Sequence, residues 1–98
     1  MSPRFGFTAE LWRSPGPGGW HFLTLPKTLS RRMRTLAGRL NTFGSLRVRA
    51  AIGEHAWASS LFYDTRAGAF LLPVKAQVRK KAGLAAGARV RAWVEIAL

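Results

Sequence analysis

Period-two alternation governs what this chain can fold into. Val90, Ala92, Val94, Ile96 and Leu98 alternate with Arg89, Arg91, Trp93, Glu95 and Ala97. Leu46, Val48, Ala50 and Ile52 alternate with Arg47, Arg49 and Ala51, and Phe5, Phe7, Ala9 and Leu11 with Gly6, Thr8, Glu10 and Trp12. Only an extended backbone sends successive side chains to opposite faces, so each run predicts a strand with one apolar face. His55 to Tyr63 alternates too, with Ala56, Ala58, Ser60 and Phe62 set against His55, Trp57, Ser59, Leu61 and Tyr63. Ala69 to Leu72 is a short apolar run closed by Pro73, and Trp20 to Leu25 is closed by Pro26. Proline has no N–H for a sheet ladder, so both strands are expected to stop there.

Two segments have the helical period instead. Leu29, Met33, Leu36, Ala37 and Leu40 form one stripe, with Thr28 or Ser30 as candidate caps and Gly38 as a weak point. Val74, Val78 and Ala82 form another over Lys75 to Ala82, and Gly83 stands where a left-handed C-cap is wanted. Ser14 to Gly19 is a turn rich in Pro and Gly, Asn41 to Ser45 is a loop, and Gly53-Glu54, Asp64 to Gly68 and Gly87 mark further turns. The order is β-β-α-β-β-β-α-β. Residues 1–98 make one all-β domain with two short helices, and six strands in so small a domain favour closure into a barrel, which removes sheet edges. Phe22-Leu23-Thr24-Leu25-Pro26 and Phe70-Leu71-Leu72-Pro73 each lead into a basic helix. That echo suggests two similar halves about a pseudo-two-fold axis.

Charge bounds the partners. Sixteen Lys and Arg stand against four Asp and Glu, a net charge of +12. Such a surface attracts nucleic acid or another polyanion without further design. Arg- and Ala-rich usage also follows from GC-rich coding, so charge alone does not establish a ligand. There is no Cys, hence no disulfide and no thiolate metal site. No basic-then-apolar segment opens the chain and no apolar run approaches membrane-spanning length, so a cytoplasmic protein without a membrane partner is expected.

The residue inventory argues against catalysis. Glu54 and Asp64 fall in turns, while Glu10 and Glu95 fall on strands among arginines, where ion pairing is the ordinary role. His21 and His55 have no Cys, Asp or Glu at ligand spacing, so neither a metal nor a cofactor is expected. Ser59 and Ser60 follow His55 without a nucleophile-elbow motif. Gly16, Gly18 and Gly19 join two strands and lack the Gly-Lys-Ser/Thr of a phosphate loop.

Several motifs together resemble one family. They are Phe-x-Ala-x-Leu at Phe7 to Leu11, Gly-Trp-x-Phe-x-x-Leu-Pro at Gly19 to Pro26, and Gly-x-x-x-Leu-Pro-Val-Lys at Gly68 to Lys75. Val78-Arg79-Lys80 spaced to Gly83, and Gly87-x-x-Val90, complete the set. The pattern is similar to the bacterial and archaeal family called domain of unknown function 1905, over residues 5 to 97. The resemblance implies a small closed β-barrel of the double-split type, related to AbrB and MazE domains. The likeness to AbrB lies in the Leu-Pro, basic helix, Gly, Gly, strand order from Leu72 to Val94. Gly87-Ala88 departs from the Gly-Asp usual there.

Two binding readings remain. In one, the basic helices (Arg31, Arg32 and Arg34; Lys75, Arg79, Lys80 and Lys81) and the strand arginines (Arg47, Arg49, Arg89 and Arg91) hold a polyanion, most simply nucleic acid. In the other, Trp12, Trp57 and Trp93, with Phe62 or Tyr63, form the contact surface of a small-molecule or protein-interaction barrel. By phase, Trp12 and Trp93 share faces with charged residues, where they are either exposed or covered by the helices. Either reading describes a non-enzymatic module, monomeric or homodimeric.

Overall fold

The computed structural model describes residues 4–39 and 44–97. Leu40, Asn41 to Phe43 of the expected loop, and Leu98 lie outside the described residues. The elements are β1 (Arg4–Arg13), β2 (His21–Thr24), α1 (Lys27–Arg39), β3 (Ser45–Ile52), β4 (His55–Asp64), β5 (Ala69–Pro73), α2 (Ala76–Ala82) and β6 (Arg89–Ile96). They follow the order that the alternation predicts. The strands close into one antiparallel barrel, β1-β2-β5-β4-β3-β6.

Phase decides what faces inward. Phe7 and Leu11 of β1, Leu46, Val48, Ala50 and Ile52 of β3, and Val90, Ala92, Val94 and Ile96 of β6 are buried. On β4 the inward set is Trp57 and Leu61, leaving Ala56, Ala58 and Phe62 exposed. Each fully buried Leu contributes roughly 1.5–3 kcal/mol over an exposed one. Met33 of α1 and Val78 of α2 join the same core cluster, so the helices extend the core rather than build a second one. α1 packs on β5 and α2 on β4.

Local chemistry sets the ends. Gly53 takes φ 58°, which lets two residues turn β3 into β4 at the pair Ile52–His55. Gly83 caps α2 at φ 68°, ψ 39°. Two expectations need correction. Neither Thr28 nor Ser30 caps α1, because the helix begins at Lys27, directly after Pro26. Ser30 is instead buried in its second turn, where its Oγ accepts the Phe70 N–H at 3.0 Å. Gly38 does not end the helix, which runs to Arg39.

The sequence echo has a geometric counterpart. Exchanging β1 with β4, β2 with β5 and β3 with β6 leaves every neighbour in the barrel unchanged. Leu25-Pro26 then falls on Leu72-Pro73, an offset of 47 that also carries Thr24 onto its own ladder partner Leu71. Ala50 falls on its own partner Val94, an offset of 44, and with it Leu46, Val48 and Ile52 fall on Val90, Ala92 and Ile96. β1 maps onto β4 with an offset of 52: Leu11 paired with Leu23 becomes Tyr63 paired with Phe70, and Phe5 paired with Val94 becomes Trp57 paired with Ala50. One internal two-fold axis therefore accounts for all six ladders.

Candidate functional site

A concavity of about 700 Å³ opens where the turn before β2, the outer faces of β3 and β4, and the start of α2 meet. Trp20 and Phe62, 58% and 47% exposed, are the two exposed large hydrophobic side chains among the described residues, and both line it. Exposed aromatic rings in a protein this small need a cause. β4 pairs with β3 and β5 and must turn one face outward, and on that face Ala58 and Ser60 leave open space beside Phe62. Trp20 lies just before β2 and is propped from behind: it stacks on Phe22 at 6.1 Å and 10°, and Phe22 rests on Trp12 at 5.1 Å. The Trp12 Nε1–H donates to Thr24 Oγ1 at 2.9 Å, which fixes the base of this row. Gly18, at φ 96°, lets the chain pass the Trp20 ring; a Cβ there would meet the indole at 3.1 Å.

The charged side chains of the lining are Arg47, Lys75 and Arg79, with no carboxylate among them. Arg79 is held in place. Its Nε–H donates to the Val74 carbonyl at 3.1 Å, and Nη1 donates to His21 Nε2 at 3.4 Å. His21 presents a lone pair there because its Nδ1–H donates to the Gly19 carbonyl at 2.7 Å. The remaining guanidinium donors of Arg79 are free of those bonds. Lys75, in the N-cap position of α2, and Arg47 on β3 are both exposed. The groove thus sets two stacking surfaces beside three cations, one of them preoriented.

The other anticipated cations lie elsewhere. Arg31 and Arg34 line a smaller recess with Lys27 and Tyr63, and the Arg34 guanidinium covers the Tyr63 ring at 4.1 Å. Arg32 lines a third recess with Arg4 and lies over Phe5 at 5.5 Å. None of these three recesses draws cations from both helices. Lys80 and Lys81 are exposed on α2 outside the groove. Sheet register sorts the strand arginines. Arg49 stands opposite Glu95 and Arg89 opposite Glu10, whereas Arg47 faces Ser60 and Arg91 faces Thr8. Of the four anticipated strand arginines, Arg47 and Arg91 are therefore the two without an acid across the ladder.

The tryptophans also separate. Trp57, expected as a contact residue, is buried at 6%, because it shares its strand phase with Leu61; it enters the groove only as part of the wall. Trp12 is half-buried as a prop. Trp93 is half-buried across Gly6 with Arg4 and Arg91 each 4.8 Å from its ring. Trp20 and Lys27 are not among the contact residues expected from sequence, and His21 is weighed there only as a metal ligand. Trp20 directly follows the Gly-Gly end of a turn, the one sign that it need not be a strand residue.

A family model described as a domain of unknown function, DUF1905, matches residues 7–94. The chain belongs to the DUF1905 family. That match takes in β2 through α2 whole, β1 from Phe7 and β6 up to Val94, and all of the groove's lining but Ala97. A comparison with curated proteins finds no match for this DUF1905 domain. Among its described residues no three His, Cys, Asp or Glu side chains gather as a metal site would need, and no helix is long and apolar enough to cross a membrane.

Proposed function

We propose that this DUF1905 domain is a non-enzymatic module that binds single-stranded nucleic acid in the Trp20–Phe62 groove, in a cytoplasmic setting. The observation that carries the reading is coincidence of place. The two exposed large hydrophobics share a recess whose charged lining is cationic throughout. Sequence-tolerant single-strand binding uses this combination: rings that stack bases beside cations that follow the backbone. The AbrB-like layout from Leu72 to Val94 supports a nucleic-acid ligand in general terms. A binding role is also in keeping with His21, whose two ring nitrogens are engaged by the Gly19 carbonyl and Arg79 rather than presented to Ser59 or Ser60.

The test is titration with labelled single- and double-stranded DNA and RNA at two salt concentrations. Micromolar or tighter single-strand binding near physiological salt, lost in Arg47→Glu/Arg79→Glu, supports the proposal. Binding confined to low salt and indifferent to that pair would overturn it. A second reading, a small-molecule site, draws on the groove's volume, which lies within the ordinary ligand-pocket range of roughly 300–1,000 Å³. A neutral aromatic ligand whose affinity is unchanged by salt would favour it.

A further inference from the structure

The internal two-fold relates more than strands. Carried through the same offsets, the groove residues Pro73, Arg79, Trp57 and Ala58 correspond to Pro26, Arg32, Phe5 and Gly6. Those four line a separate recess of about 420 Å³ together with Arg4. Arg47 corresponds to Arg91, which borders that recess, since its Nη2 lies 2.7 Å from where a Gly6 Cβ would stand. Of the four anticipated strand arginines, the two without an acid across the ladder, Arg47 and Arg91, are thus equivalent to each other.

We infer that the barrel carries a second anion site, formed by Arg32 and Arg91 with Arg4 around Phe5, and that it takes a second stretch of single-stranded nucleic-acid backbone. The ligand class rests on the groove reading; the existence of the site does not. The cations here are held by aromatic faces. Arg32 lies over Phe5 at 5.5 Å, and Arg4 and Arg91 lie 4.8 Å from the Trp93 ring. Stacking engages the flat face of a guanidinium and leaves its in-plane N–H donors to a phosphate. Glu95 is the ladder partner of Arg4, so Arg32 and Arg91 supply most of the attraction.

What the second site lacks is equally informative. Trp20 corresponds to Ala67 and Phe62 to Glu10. No exposed ring stands where bases would stack, and an acid occupies one of those places. The site therefore holds phosphates without stacking bases, binds more weakly than the groove, and is lost first as salt rises.

The experiment follows indole N–H resonances of the whole protein, assigned by single Trp→Phe variants, during titration with an oligothymidylate of about four nucleotides, the short end of known single-strand site sizes. Trp20 is expected to shift first and Trp93 at higher ligand concentration, with the Trp93 response disappearing first as salt is added. Arg32→Gln/Arg91→Gln should abolish the Trp93 response while Trp20 still shifts. If Trp20 responds and Trp93 stays silent at low salt, the second site is refuted and the groove stands. A silent Trp20 sinks the groove reading, whatever Trp93 does. A Trp93 shift that survives the double substitution also overturns the site. The wild-type titration decides the matter even if that variant fails to fold.

Discussion

Ser30 shows how one residue can be misread from sequence and still matter. Its hydroxyl accepts the N–H of Phe70 inside the core, forty positions along the chain. Ser30→Ala leaves a buried donor unsatisfied and should cost about 1–3 kcal/mol, read as a lower denaturant midpoint with unchanged slope. Trp20 is the opposite case, exposed and propped only from behind. Trp20→Ala should preserve the unfolding midpoint and weaken single-strand binding by about 1–3 kcal/mol, the usual worth of a stacked base, as measured by fluorescence anisotropy. Arginine exposure was legible in the sequence, because a charge opposite an apolar strand or helix face has nowhere else to go. The burial of Trp57 was not. Both faces of β4 carry an aromatic residue, so alternation without a partner strand does not say which one enters the core.

Helix ends were legible where backbone conformation demands a particular residue. Gly83 closes α2 in the left-handed region, with its N–H turned to the Arg79 and Lys80 carbonyls. Gly83→Ala should destabilise the domain by about 1–2 kcal/mol, the cost of that conformation for an L-residue, measurable as a shift in Tm. Helix starts were less legible. α2 begins without a side-chain cap, and α1 follows Pro26 directly, so the Ser and Thr residues that signal a cap had other work or none. Trp93 belongs at this scale too. It fills the gap that Gly6 leaves on the neighbouring strand, where a Cβ would come within 2.6 Å of the indole. The strand pairing is thereby locked by a ring laid across it, a contact that neither strand declares alone.

For the whole molecule, +12 raises attraction to any polyanion, but attraction at a distance and contact at a site scale differently with salt. If the groove carries binding through Arg47, Lys75 and Arg79, log K against log salt should fall with a slope of about −2, at about −0.7 per phosphate on a single strand. A slope several times steeper would mean that the surface as a whole is engaged. Strand number, strand order along the chain, both helices and the inward residues of β1, β3 and β6 followed from the sequence alone, because period and turn chemistry are local properties of the backbone. The two Leu-Pro segments hinted at the internal symmetry. Its axis, and the equivalence of Arg47 with Arg91 and of Arg79 with Arg32, needed the ladders. The groove could be found only in the tertiary structure. Trp20, Arg47, Phe62 and Arg79 come from the turn before β2 and from β3, β4 and α2, and it is barrel closure, which fixes every register at once, that brings them to one place.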